Sequence, residues 1–433
     1  MKTPLAAGLV LSLLSGCASV ADTPSWSSLG EPSQVSLRQT EAGFELIRNG
    51  EAFFVRGAGG VRYLSELADM GGNAIRTWDG EGIDSLMNEA HELGLAVQVG
   101  IWLEHERHGY DYDDPAVREE QLAKVERLVT RYRHHPALLT WGVGNEVELG
   151  GDLGKALRAI EEAAALIKRL DPHHPTVAVI AEIGDDKAAR IAAECPSIDL
   201  IGVNSYGGMA SVPERLVQQG YHGAYMITEF GPLGHWESAS SEWGAPYEMT
   251  SSQKADFIAG NYARAVEAEH PGACVGSFAF LWGNKQETTE TWFGLFLPTG
   301  EKTESVERLA EFWSGRLASE HAPRVRAIRL GLEAPGRVEP GQAFKADVSA
   351  DDPDGDRLSF EWRVIAESSD RKTGGDAEAA PPVIEGSVLS SQGTTATLKA
   401  PVEPGAYRVF VTVRDGKGWA GTANLPFRVV GEE

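Results

Sequence analysis

The chain reads as an α/β protein: a (β/α)8 TIM barrel followed by an all-β immunoglobulin-like sandwich. Three observations carry this. Apolar runs of strand length recur eight times over about 270 residues, with stretches of helical periodicity between them. Two of the runs end abruptly in a glutamate. After Arg316 the chain becomes richer in Pro, Gly and Thr, and its apolar period shortens toward two.

The eight strands are expected at 53–57, 73–78, 96–102, 138–146, 176–180, 198–206, 224–229 and 275–282. Amphipathic helices are expected between them, for example over 115–133 and 153–170. Ahead of the barrel, 43–51 alternates and contains Asn49-Gly50, a two-residue hairpin signal, so strands covering the barrel floor are expected over 35–54. In the tail, 360–364 and 407–413 alternate cleanly, and 425–430 reads as a last edge strand. The stretch 371–382, rich in Gly, Asp and Ala, reads as a mobile loop. The barrel with its hairpin is expected over 34–318 and the sandwich over 324–433, as a spacer and stabiliser. Trp362 and Tyr407 suit its core. Trp419, in a turn, suits packing on the barrel, with sugar stacking as the alternative.

Composition narrows the partners. With 39 Lys and Arg against 63 Asp and Glu, the net charge is −24. Such a surface repels nucleic acid and anionic substrates and suits a neutral polymer. At the N-terminus, Lys2 precedes an apolar stretch over 5–14, too short to span a bilayer. It ends in Leu14-Ser15-Gly16-Cys17, which resembles the lipobox of bacterial lipoproteins. That resemblance implies a signal peptide over 1–16, acylation of Cys17, a tether over 17–33 and export to the outer membrane, the lipid being the one membrane contact. Ala18 after the cysteine resembles outer-membrane sorting. Cys195 and Cys274 precede predicted strands that are not barrel neighbours, so two buried thiols are expected.

The chemistry centres on Glu146 and Glu229, which end predicted strands four and seven. A buried strand has no use for a carboxylate, so each stands where its strand enters a cleft, on the rim where barrel chemistry happens. Two carboxylates roughly 5–5.5 Å apart are what retaining cleavage of a glycosidic bond needs, one to protonate the leaving oxygen and one to attack. Asn145 could hold a sugar 2-hydroxyl, Arg76 could orient the Glu229 carboxylate, and Tyr206 could donate to it. Asn204 stands beside Tyr206, with a core orientation as its alternative. Trp282, Trp78, Trp102, Trp236 and Trp292 fall at or beyond strand ends, where an indole offers a flat face to a pyranose; Trp141, before the rim, reads as core. His105, Glu106 and His108 follow strand three. Their spacing fits no helix-based zinc motif, so sugar contacts are expected of His105, and no metal or cofactor. The acidic turn 351–356 reads as a hairpin connection, with calcium left open.

Gly144-Asn145-Glu146, Thr228-Glu229-Phe230-Gly231, Asn73 to Arg76 and Trp282 together resemble the retaining clan A glycoside hydrolases. The resemblance implies Glu146 as acid/base, Glu229 as nucleophile, and Asn145, Arg76, Tyr206 and Trp282 in supporting positions. Within the clan the plan is most similar to glycoside hydrolase family 158, which implies an endo-β-1,3-glucanase acting on laminarin-like poly- or oligosaccharides. A family 2 type barrel is the other possibility, here preceded by a short hairpin in place of a jelly roll. The alternatives are a β-1,3-glucan transglycosylase, another clan A enzyme such as a mannanase or galactosidase, and a non-catalytic glycan-binding lipoprotein.

Overall fold

The computed structural model describes residues 26–184, 186–332 and 336–431. The expected signal peptide, Cys17 and the first part of the expected tether lie outside these residues. The chain begins its described path with Trp26 buried against Tyr132 and His135, its Nε1 donating to Arg131 O at 2.8 Å. Ser33 Oγ donates to Leu138 O at 2.7 Å. Residues 26–33, expected as the end of a tether, are therefore docked on the barrel, because an indole and a hydroxyl here find buried partners.

Three antiparallel strands follow: β1 (Val35–Thr40), β2 (Gly43–Arg48) and β3 (Glu51–Phe53). Asn49 and Gly50 turn between β2 and β3 with φ of 52° and 88°, the left-handed pair that a tight hairpin requires. Val35 and Leu46 join Val55, Ala74, Leu139 and Phe278 in one apolar cluster that plugs the barrel floor. The barrel strands are β4 (Val55–Gly59), β5 (Ala74–Arg76), β6 (Ala96–Ile101), β7 (Leu138–Val143), β8 (Thr176–Ala181), β9 (Leu200–Asn204), β10 (Tyr225–Phe230) and β11 (Cys274–Ala279). They pair in parallel and close, β11 against β4. Helices cover the outside. Those at Pro115–Tyr132 and Leu153–Leu170 start on Asp114 and Asp152, whose side chains accept from backbone N–H groups of the first turn. Cys195 and Cys274 are free and buried.

The tail forms two four-stranded sheets. One is ordered β12 (Arg324–Gly331), β14 (Ala343–Asp351), β17 (Thr395–Lys399), β16 (Val388–Gln392). The other is ordered β13 (Arg337–Val338), β19 (Ala420–Val429), β18 (Gly405–Arg414), β15 (Ser359–Ala366). Strand β14 alternates buried and exposed, as a strand with one wet face should. Strands β18 and β19 are buried along nearly their whole length, because their outer face lies on the barrel. The 425–430 run is thus no edge strand: β19 pairs with β18 over ten residues and with the short β13. Trp362 and Tyr407 sit in the sandwich core. Trp419 packs into the barrel's own core, with Lys302 Nζ 4.8 Å from its ring centroid.

The two units share a buried polar seam. Arg408 on β18 pairs with Glu367 at 2.8 Å, and donates to Asn424 Oδ1 at 2.7 Å and to Pro246 O of the barrel at 2.8 Å. Asn424 Nδ2 in turn donates to the buried Glu248 carboxylate at 2.6 Å. Removing one partner of a buried pair strands the other charge. Arg408→Ala is therefore expected to destabilise the protein by about 3–5 kcal/mol, read as a shift in the denaturant midpoint.

Candidate active site

The carboxylate of Glu229 lies inside β10, and that of Glu146 three residues beyond the end of β7. The turn that delivers Glu146 is unusual. Gly144 and Glu146 both have left-handed backbones, with φ of 71° and 53°. A Cβ at Gly144 would come within 2.4 Å of the Val147 side chain, so glycine is required there. Glu146 is held in its strained conformation by its N–H, which donates to Val179 O of β8 at 3.0 Å.

One guanidinium organises the floor of the site. Arg76, at the end of β5, is 2% exposed. Its Nη1 donates to Glu229 Oε1 at 2.9 Å and to Thr228 O at 2.8 Å, and its Nη2 to Asn145 Oδ1 at 2.7 Å. Asn204 Nδ2 donates to the same Asn145 oxygen at 3.1 Å and to Glu146 Oε1 at 2.9 Å. A continuous chain of donors thus links the two carboxylates. With Asn145 Oδ1 taken twice, its NH2 end is left to donate into the cavity that it lines. Thr228 Oγ1 donates to Asn204 Oδ1 at 2.8 Å and fixes that amide.

Glu229 receives two further donors: Tyr206 Oη at 2.9 Å and Trp78 Nε1 at 2.7 Å. Burial, with the nearby charges of Glu229 and Glu146, pushes the Tyr206 phenol well above its usual range and keeps it a donor. Glu146 has an amide but no cation against it. Its burial, and then the charge of Glu229, push its carboxyl up to about 8.

These groups open into a cavity of about 580 Å³. Trp78, Trp102, Asn145, Glu146, Asn204, Tyr206, Glu229 and Trp236 all line it. Trp236 stands 58% exposed, edge-on to Tyr206 at 5.5 Å, and presents an open aromatic face. Trp78 serves the carboxylate as a donor, an addition to its expected role as a sugar face.

Three expected residues, Trp282, Trp292 and His105, lie elsewhere. Trp282 is buried among Phe296 and Trp313, with Nε1 donating to Tyr63 O at 2.9 Å. Strand β11 stops at Ala279, so the residue that reaches the rim is Phe280, which lines the cavity. Trp292 is likewise buried, donating to Leu233 O. His105 is fully buried behind Trp102, on which it stacks at 5.0 Å, and Arg107 Nε donates to its Nδ1 at 3.0 Å. Burial and the Arg107 charge hold its imidazole down at about 4, hence neutral. His105 therefore braces Trp102 and does not touch the cavity. Glu106 accepts from Asp152 N, and His108 faces Asp376 at 3.0 Å. In the acidic turn, Asp352 Oδ1 accepts two backbone N–H groups, and Lys417 Nζ stands 3.0 Å from Asp356 and 3.1 Å from Glu320.

Several lining residues escaped the sequence reading: Glu182, His235, Glu237, Lys285 and Glu287 on barrel loops, and 372–376 from the sandwich. Glu182 and Phe280 each follow directly on a barrel strand, so the strand-end argument could have found them. The sandwich, expected as a spacer, contributes part of the cavity wall.

The closed barrel carries two glutamates at its mouth, the arrangement that the resemblance to the clan A glycoside hydrolases implies. Residues 74–231 match the family described as "Glycosyl hydrolases family 2, TIM barrel domain", which shifts the family expectation from family 158 to family 2. Over 130 residues the chain is 28% identical to "Probable mannan endo-1,4-beta-mannosidase C" of Aspergillus terreus, covering 24% of this chain and 32% of that one. Over 112 residues it is 34% identical to "Putative beta-glucuronidase" of Formosa agariphila, covering 25% of this chain and 10% of that one. The chain thus spans a third or less of these relatives. The β-glucuronidase of Ruminococcus gnavus shares the fold with a TM-score of 0.51 at 15% identity, over 65% of this chain and 53% of that one.

The electrostatics of the site can be checked without substrate. Carbon-13 NMR of labelled glutamate should show the Glu146 carboxyl titrating near 8. Glu229→Gln removes the neighbouring charge and should lower that value, while burial, the larger cause, keeps it above the usual 4.5. An unchanged titration would place Glu229 out of electrostatic reach.

Proposed function

We propose that this protein is a retaining β-glycosidase that cleaves a neutral β-linked glycan by double displacement. The observation that carries this reading is the asymmetry of the two carboxyls. Glu229 is fixed by Arg76, Tyr206 and Trp78, whereas Glu146 is held at a raised pKa beside it. In the first step the Glu229 carboxylate attacks the anomeric carbon. The bond to the leaving oxygen breaks, and that oxygen takes the proton of Glu146. In the second step Glu146, now a carboxylate, takes a proton from water. The oxygen of that water attacks the anomeric carbon and releases Glu229. The free NH2 of Asn145 suits the sugar 2-hydroxyl, and Trp236 the face of a ring.

The cavity wall favours a neutral substrate. Its two lysines are engaged. Lys285 Nζ lies 2.8 Å from Glu287 and donates to Gly375 O, and Lys372 Nζ donates to Ala377 O. No free cation among the lining residues waits for a uronate, and carboxylates outnumber cations there. The mannan of the fungal relative's name fits this wall better than the glucuronide of the bacterial one. β-1,3-Glucan, implied by the sequence resemblance to family 158, belongs to the same neutral class, as does transfer to a sugar acceptor in place of water. Attachment to the outer membrane through Cys17 is proposed from the lipobox alone.

The test is a product assay on laminarin, curdlan, mixed-linkage glucan, mannan, galactan and an aryl β-glucuronide, with NMR of the first product. Hydrolysis of a neutral glycan with retention is expected; cleavage of the glucuronide alone, or inversion, overturns the reading. On the substrate so found, Glu229→Ala is expected to lose turnover by at least about 10³-fold and to regain it with azide, which takes the place of the missing nucleophile. The rescued product should be a glycosyl azide of opposite anomeric configuration; a variant that keeps near-normal rates without azide refutes the role of Glu229.

A further inference from the structure

We propose that the 371–376 loop of the sandwich domain is a specificity-determining wall of the cleft, which limits how much glycan can lie across Glu146 and Glu229. The inference rests on the reading of that cavity as a sugar site. The loop leaves the sandwich between β15 and β16, and residues 372–376 reach the catalytic cavity.

It is tied to the barrel mouth from two sides. Arg107 Nη1 donates to Thr373 O at 2.6 Å, and Asp376 faces both Arg107 at 3.4 Å and His108 at 3.0 Å. On the other side Lys285 Nζ donates to Gly375 O at 2.6 Å, and Thr288 N donates to Glu378 Oε2 at 2.6 Å. Arg107 follows β6, and Lys285 and Thr288 follow β11. In the closed barrel those strands flank β4 and β5, so the loop's two anchors straddle the rim sector from which Arg76 and Trp78 reach Glu229.

The tip is built for this close approach. Gly374 and Gly375 both have left-handed backbones, with φ of 67° and 73°. A Cβ at Gly374 would fall 2.6 Å from the Arg107 guanidinium, and one at Gly375 would fall 2.9 Å from Lys285 Nζ. In this left-handed conformation a side chain is strained at either position, and it would also have to displace the end of the Arg107 or Lys285 side chain. The tie points are charge-assisted hydrogen bonds, the stronger kind. A loop clamped at both ends by such bonds acts as a fixed wall, and it stands beside the indoles expected to carry sugar rings.

Two variants test this in the full chain: replacement of 372–376 by two glycines, and Gly374→Val, which keeps the length but pushes the tip off Arg107. First, kcat/KM is measured for the longest glycan that the wild type cleaves and for the matching short aryl glycoside. Both variants should raise the ratio of long to short by roughly tenfold, the scale of a lost steric exclusion. A parallel fall on both substrates, or an unchanged ratio in a folded variant, overturns the proposal. Second, hydroxyl-radical footprinting read by mass spectrometry needs no substrate. Oxidation of Trp102 should rise in both variants, and oxidation equal to wild type overturns the wall. If the wild type cleaves nothing in the panel, the glycosidase reading fails while footprinting still decides the wall. If the shortened variant does not fold, Gly374→Val decides both arms.

Discussion

The site depends on where the Arg76 guanidinium is. A buried cation is costly unless fully paired, and Arg76 answers that cost with the Glu229 carboxylate, the Asn145 amide oxygen and a backbone carbonyl. The cation and its partners come from three different strand ends. β5 supplies the cation, β10 the carboxylate and the carbonyl, and the turn after β7 the amide. A shift of any one strand along the barrel axis would break several bonds at once, so the pairing sets the register of the mouth as well as its charge. It also makes the two carboxyls unlike. One faces a cation, a phenol and an indole; the other faces an amide and the charge of its partner. Environments that push two carboxyls apart are what divide the labour between them.

Glu146 pays for its position in backbone strain. A non-glycine residue in the left-handed region costs on the order of 1–3 kcal/mol, and such strain persists only where the surroundings over-determine it. Here the surroundings are the Glu146 N–H bond to β8, the Leu149 N–H bond to Glu146 O, and the Asn204 amide on the carboxyl itself. The chain must reverse sharply after β7 to bring a carboxyl back over the barrel axis, and Gly144 two residues earlier makes the reversal possible.

Much of this was legible in the sequence, and the boundary follows the range of the interactions. The strand-end glutamates, Arg76, Tyr206 and the Asn49-Gly50 turn were readable because each is encoded within a few residues of its strand. The aromatic residues were less so. Whether an indole near a strand end faces the mouth or the core depends on how the next segment folds. Trp236 stands out, while Trp282 and Trp292 turn in to carbonyls of Tyr63 and Leu233. His105 has the same history, its ring taken by Trp102 and Arg107. The least legible part was the 372–376 wall. Its bond from Arg107 to Thr373 joins residues 266 positions apart, and no local period carries a contact of that range.

The segment after β11 shows why barrel and sandwich act as one unit. Lys285 and Glu287 line the cavity, Thr288 holds the sandwich loop through Glu378, and Thr289 and Thr291 bond the buried Glu248 that receives Asn424. Five residues within 285–291 therefore touch cavity, loop and interface in turn. Glu248 is also paired with buried Lys254. A polar seam of this kind is satisfied only in one relative placement of the two units, since sliding them would strand charges out of water. An apolar interface of the same area would tolerate such sliding. The buried polar seam thus does what a cleft wall borrowed from another domain requires: it fixes the distance between the loop tip and the glutamates.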